Sequence, residues 1–87
     1  MLTIYKFPIP IADNFTLPLP SGAACLSVQV QHGQPCLWAL CEDPEAGPIK
    51  PRKFRLAGTG HPIAKGGKFV GTFQLNGGAL VCHLFEL

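Results

Sequence analysis

The most unusual local sequence in the chain is Ala57-Gly58-Thr59-Gly60-His61-Pro62, which follows the basic stretch Lys50-Pro51-Arg52-Lys53-Phe54-Arg55. Glycines let backbone amides come close to a ligand, and successive amides in a turn form a concave nest for an anion. Thr59 adds a hydroxyl, His61 a ring nitrogen and Arg55 a positive charge. Arg55, Gly58, Thr59, Gly60 and His61 therefore make a candidate cradle for a small anionic, nucleotide-like ligand. The same string also reads as a plain turn at a strand exit, with His61 held extended by the proline after it. Lys65-Gly66-Gly67-Lys68 is a second basic, glycine-rich segment. It joins the rim if the fold brings it to Gly58–His61.

The remaining reactive side chains point to little chemistry. Cys25, Cys36, Cys41 and Cys82 contain no CxxC pair, and His32, His61 and His83 contain no HxxxH pair, so zinc spacings are absent and no metal site is expected. Cys36 and Cys41 are five apart and diverge on a strand, as do the neighbours Cys82 and His83. All four thiols read as small buried hydrophobes. A Cys–His dyad has no local signature. Asp13, Glu42, Asp43, Glu45 and Glu86 fall in loops or at the chain end, without visible pairing for acid–base work. No catalytic residue and no cofactor is assigned, and the expectation is a protein that binds rather than an enzyme.

What must position these residues follows from punctuation. Nine prolines and ten glycines are scattered so that a helix of ordinary length has nowhere to sit. The segments between them are strand-sized and rich in Val, Leu, Phe, Thr and Cys. We expect one all-β domain over residues 1–87, a small antiparallel sandwich or partly open barrel of six to seven strands built on two β-hairpins. Ala24–Gln31 and Gln34–Cys41 flank His32-Gly33; Lys68–Leu75 and Gly78–Phe85 flank Asn76-Gly77, a strong signal for a two-residue turn. Thr3–Phe7, Phe15–Leu19 and Arg52–Ala57 are further strands. Asp43–Pro51 reads as a loop and as the place where mobility would concentrate. Lys53 and Arg55 share one strand face, a solvated one, leaving Phe54 and Leu56 for the core.

Registers turn the hairpins into faces. In the second, Phe73 lies opposite Leu80, Gly71 opposite Cys82 and Phe69 opposite Leu84, a wholly apolar core face. Its reverse carries Val70, Thr72, Val81, His83 and Phe85. In the first, Val30, Val28 and Leu26 lie opposite Pro35, Leu37 and Ala39 on the neighbouring strand, giving a second core face. Its reverse carries Ser27, Gln29, Cys36, Trp38 and Leu40, too apolar for a solvated face. Two covers are open: the chain's own remaining strands, or a subunit interface formed by Ser27, Gln29, Trp38, Leu40 and His83.

Composition favours some cover. Charged residues are 14% and apolar ones 47%, against about 25% charged in an average domain. A chain this short has proportionally more surface to solvate, which points to a homo-oligomer or a partner complex. The net charge of +2 is too small to imply nucleic-acid binding, and no apolar run approaches a membrane span. The opening Met1–Lys6 lacks a basic n-region and a long apolar h-region, so the expectation is a cytoplasmic protein with reduced cysteines.

Leu26–Leu40, Gly58–Ile63 and the closing Gly71–Glu86, with Ile4-Tyr5-Lys6-Phe7, resemble a family of small uncharacterised proteins of bacteriophages and prophages. The resemblance spans nearly the whole chain and implies a phage accessory protein in a bacterial host. It transfers no mechanism. The combined expectation is a homo-oligomeric binding protein, acting on a small anionic ligand or a host protein. The alternatives are a structural virion component or a small Cys/His-dependent enzyme.

Overall fold

The computed structural model describes residues 1–42 and 47–87. Its strands are β1 (Thr3–Pro8), β2 (Asn14–Pro20), β3 (Ala24–Gln31), β4 (Gln34–Cys41), β5 (Ile49–Gly58), β6 (Lys68–Leu75) and β7 (Leu80–Glu86). They form two antiparallel sheets, β1-β4-β3 and β2-β5-β7-β6. The all-β expectation holds. Ile49–Pro51, expected in a loop, begins β5 instead; Gly47 and Pro48 lie outside any strand, and Asp43–Ala46 lies outside the described residues.

Turn chemistry sets the hairpins. His32 and Gly33 both have positive φ, 50° and 77°, as a two-residue primed turn requires, and Gln31 lies opposite Gln34. The second turn is longer than expected. Asn76, Gly77 and Gly78 all have positive φ, and the Ala79 N–H donates to the Asn76 carbonyl at 3.2 Å. The third left-handed residue widens the loop to Asn76–Ala79, so Phe73 pairs with Cys82 rather than with Leu80. A shift of two residues keeps every side chain on its expected face, because the side-chain period is two.

Two β-bulges do change faces. One leaves Leu26 unpaired, so Cys25 rather than Leu26 lies opposite Ala39. The other leaves Val70 unpaired, so Phe69 lies opposite Phe85 rather than Leu84. An extra residue in a strand reverses the alternation beyond it. Leu26 and Phe69, both expected in the core, are accordingly 48% and 55% exposed.

The core lies between the sheets. Val28, Leu37, Ala39 and Cys41 of one sheet meet Leu19, Phe54, Leu56, Phe73, Cys82 and Leu84 of the other, with Ile9 and Ala23 from the connections. Phe15 stacks on Phe54 with ring centres 5.5 Å apart. Along one side β3 packs on β6, where a Cβ at Gly71 would stand 2.9 Å from Val28 Cγ1. β1 and β2, the edges not involved there, are not hydrogen-bonded to each other, so these strands form a sandwich rather than a closed barrel.

Candidate functional site

β5, β7 and β6 lie side by side, and their outward positions build the site. Ala57 and Thr72 stand on either side of His83, and Arg55 and Phe69 on either side of Phe85. His83 is clamped: its Nε2 is 2.7 Å from Thr59 Oγ1 and its Nδ1 is 2.8 Å from Thr72 Oγ1. In either tautomer the ring N–H donates to one threonine oxygen, and the bare nitrogen accepts the hydroxyl proton of the other. Phe69 and Phe85 meet edge to face, with centres 5.5 Å apart and planes at 61°.

The loop after β5 forms the opposite wall. The His61 N–H donates to the Gly58 carbonyl at 3.1 Å and Gly60 has φ 86°, so Gly58–His61 is a tight turn that needs glycine at its third position. The His61 ring lies across Gly58, where a Cβ would stand 2.9 Å from Nδ1. Between this loop and the sheet runs a cleft of about 210 Å³, lined by Gly58, Thr59, Ile63, Phe69, His83 and Phe85 among others. A second cleft of about 310 Å³ shares Ala57, Gly58, His61 and Ile63 with it and adds Asp13, Asn14 and Arg55. The two make one trough, apolar and aromatic at one end and polar at the other. The Arg55 Nε donates to Asn14 Oδ1 at 3.3 Å, which holds the guanidinium at the polar end.

An imidazole between two hydroxyls also has the layout of a base, a nucleophile and an orienting group. Acyl transfer needs donors, backbone amides or side chains, aimed where an oxyanion develops. Here the Thr59 N–H donates to the Val81 carbonyl at 3.3 Å, and that of His61 is used within its turn. Of the amides at 59–61, only Gly60's has no backbone partner among the described residues. A backbone nest needs successive free amides, so the nest expected from the sequence is not formed here, and the cation lining the polar cleft is Arg55.

A second polar cluster closes one end of the core. Arg52, on the inward face with Phe54 and Leu56, donates from Nε to Glu86 Oε2 at 2.5 Å and from Nη2 to Glu86 Oε1 at 2.8 Å. It also donates to the Ala23 carbonyl, tying β5 and β7 to the segment leading into β3. The guanidinium holds the Glu86 carboxyl below its usual range. The Cys25 thiol donates to Glu86 Oε1 at 3.6 Å; burial, and then the Glu86 charge, push its pKa up to about 11. A thiol so protonated is a poor nucleophile. Glu86, read from the sequence as an acid at the chain end without visible pairing for acid–base work, is the last residue of β7 and pairs with Arg52.

A family model described as "Domain of unknown function (DUF7352)" matches residues 1–87. The chain belongs to that family. No curated protein and no solved structure matches it.

In this DUF7352 domain Gly58 and His61 line both clefts, Thr59 and Gly60 only the aromatic one and Arg55 only the polar one, so the sequence candidates are divided between the two ends of the trough. His83, grouped with Trp38 from the sequence, lies in the trough instead, on the outer face of the other sheet. Ser27, Gln29, Trp38 and Leu40 share the outer face of β3-β4, where Trp38 is half-buried and Lys6 Nζ lies 6.0 Å from its ring centre. That face lies outside the core cluster between the sheets, although Cys36 on it is 1% exposed. Lys68 lines a separate cleft with Arg52 and Glu86, and none of Lys65–Lys68 reaches the trough. Phe69, Thr72 and Ile63 were missed as site residues. The bulge at Val70 that turns Phe69 outward has no signature in the sequence, whereas the hairpin put Thr72 on the same face as His83, though opposite Val81; the wider turn brings it opposite His83.

Proposed function

We propose that this chain is a non-enzymatic binding protein whose ligand is a small anionic molecule carrying a flat ring, a nucleotide or a close relative. One observation carries the reading. Segments far apart in sequence, 55–63, 69–72 and 83–85, converge on one trough that offers an exposed aromatic edge, a row of hydrogen-bonding groups and a cation. A nucleotide needs those three things together: stacking on Phe69, hydrogen bonds with the Thr59 and Thr72 hydroxyls that His83 orients, and charge pairing with Arg55. The setting we propose is the cytoplasm of a bacterial host, in a phage accessory role. Four free thiols fit a reducing compartment.

The test is thermal-shift screening against a nucleotide panel, with native mass spectrometry for copurified ligand. A saturable rise in Tm with one nucleotide class is expected. Phe69→Ala and Arg55→Ala should each weaken binding about tenfold, the effect of losing about 1.4 kcal/mol. No shift across the panel and no bound mass would refute the reading.

A second reading, docking on a host protein, is favoured by the half-buried Trp38 on an outer sheet face. It predicts that Trp38→Ala abolishes partner binding while His83→Ala leaves it intact. The low charge content favours a homo-oligomer under either reading.

A further inference from the structure

The two sheets have four edges, and three of them are guarded. β3 and β6 pack on one another, with Gly71 against Val28. β2 carries Pro18 and Pro20, which have no N–H to offer a further strand. β1 carries a single proline, Pro8, at its last position, where the missing N–H also faces outward; the strand before it has no such device among the described residues. Thr3–Phe7 contains no proline, and its one charge, Lys6, bonds Gln31 Oε1 at 2.6 Å. Leu2, Ile4 and Tyr5, in and beside the same strand, are 58%, 56% and 42% exposed. A bare, apolar edge of this kind is a template for another strand.

The backbone phase is also defined. The Ile9 N–H donates to the Pro35 carbonyl at 3.0 Å, in line with the β1–β4 register. Hydrogen-bonded positions alternate along an antiparallel pair, so Thr3, Tyr5 and Phe7 turn their backbone groups to β4, while Ile4 and Lys6 turn theirs outward.

We propose that β1 is the docking edge for a second copy of this chain, the two β1 strands pairing antiparallel about a twofold axis to merge their three-stranded sheets into one of six. Centred on Tyr5, the pairing sets Ile4 against the partner's Lys6, and Lys6 against the partner's Ile4. All four of those residues offer outward N–H and C=O groups, and the two lysines never face each other. Ile4 and Leu40 are neighbours on the outer face, so the apolar strip running to Trp38 becomes continuous across the junction. The inference deepens the homo-oligomer part of the reading above and is independent of the ligand trough.

Sedimentation velocity on the whole chain tests it, together with amide hydrogen exchange. The wild type is expected to be a dimer at tens of micromolar, with the Ile4 and Lys6 amides protected and losing protection on dilution. Ile4→Pro removes an outward N–H without removing a bond to β4, and Ile4→Lys adds a charge at an exposed position. Both should give folded monomers. A wild type that stays monomeric at roughly 1 mM overturns this proposal and the homo-oligomer reading together. A dimer that survives both variants, that dissociates only with Trp38→Ala, or that leaves the two amides unprotected overturns the β1 edge alone.

Discussion

Replacing Gly71 by alanine should destabilise the protein by an amount the geometry sets. The new Cβ would stand 2.9 Å from Val28 Cγ1 and 3.4 Å from Val28 N. Carbon atoms rest at about 3.5–4.0 Å, so the methyl pair is overlapped by well over half an ångström. Val28 has nowhere to go: it is 3% exposed, lies in the core, and is stiff at χ1. Overpacking of this kind costs about 1–3 kcal/mol. Relief of glycine's backbone entropy returns about 0.5–1 kcal/mol. The net loss then centres on about 1 kcal/mol, or a Tm lowered by roughly 4–8 °C for a domain of this size. Val28→Ala alone should cost about 2 kcal/mol through the cavity it leaves. In Val28→Ala/Gly71→Ala the new methyl enters that cavity, so the double variant should be less destabilised than the sum by about 1 kcal/mol. Urea denaturation of the four proteins measures the cycle. Additive effects, or a Gly71→Ala protein as stable as wild type, would refute the close approach of β3 to β6. The same approach positions the strand carrying Phe69 and Thr72, so Gly71→Ala should also weaken ligand binding.

Glu86 is held below its ordinary pKa in the folded state, so its contribution to stability is present above its unfolded pKa and is lost as pH falls through the folded one. Denaturation between pH 3 and 6 should show stability falling with acid, and Glu86→Gln should flatten that fall and lower stability at pH 7. The pair is partly exposed, so the loss is expected at about 1–2 kcal/mol, less than for a fully buried pair. Cys25, at about 11, should alkylate at pH 8 on the order of a hundredfold more slowly than an ordinary thiol, and faster in Glu86→Gln, as a timed mass-spectrometric labelling series would show. Gly60→Ala forces a side chain onto a φ of 86° and should weaken ligand binding more than it lowers Tm, because the turn it strains is an exposed wall of the trough.

Local chemistry made much of the fold legible. His32-Gly33 accounts for one hairpin and its register, and the punctuation by proline and glycine leaves no room for helices. Asn76-Gly77 marked the second hairpin but not the role of Gly78, and the pairing moved by two. Arg55, Gly58, Thr59, Gly60 and His61 were found as candidates because they are contiguous, and a contiguous turn is visible in one dimension. Arg52–Glu86 was not, because its partners are 34 residues apart and meet only once β5 lies beside β7.

What the sequence by itself determined is therefore the set of strands, most of their faces and the loop at the trough's wall, all products of turn residues and a period of two. The tertiary structure decided where that period breaks. Bulges at Leu26 and Val70 arise where strands must follow their neighbours, and they turned Leu26 and Phe69 from core to surface. Only strand order could place His83 between Thr59 and Thr72, leave Trp38 outside the core, and make β1 an edge. Each of those depends on which strands become neighbours, and that is settled by long-range burial rather than by any local pattern.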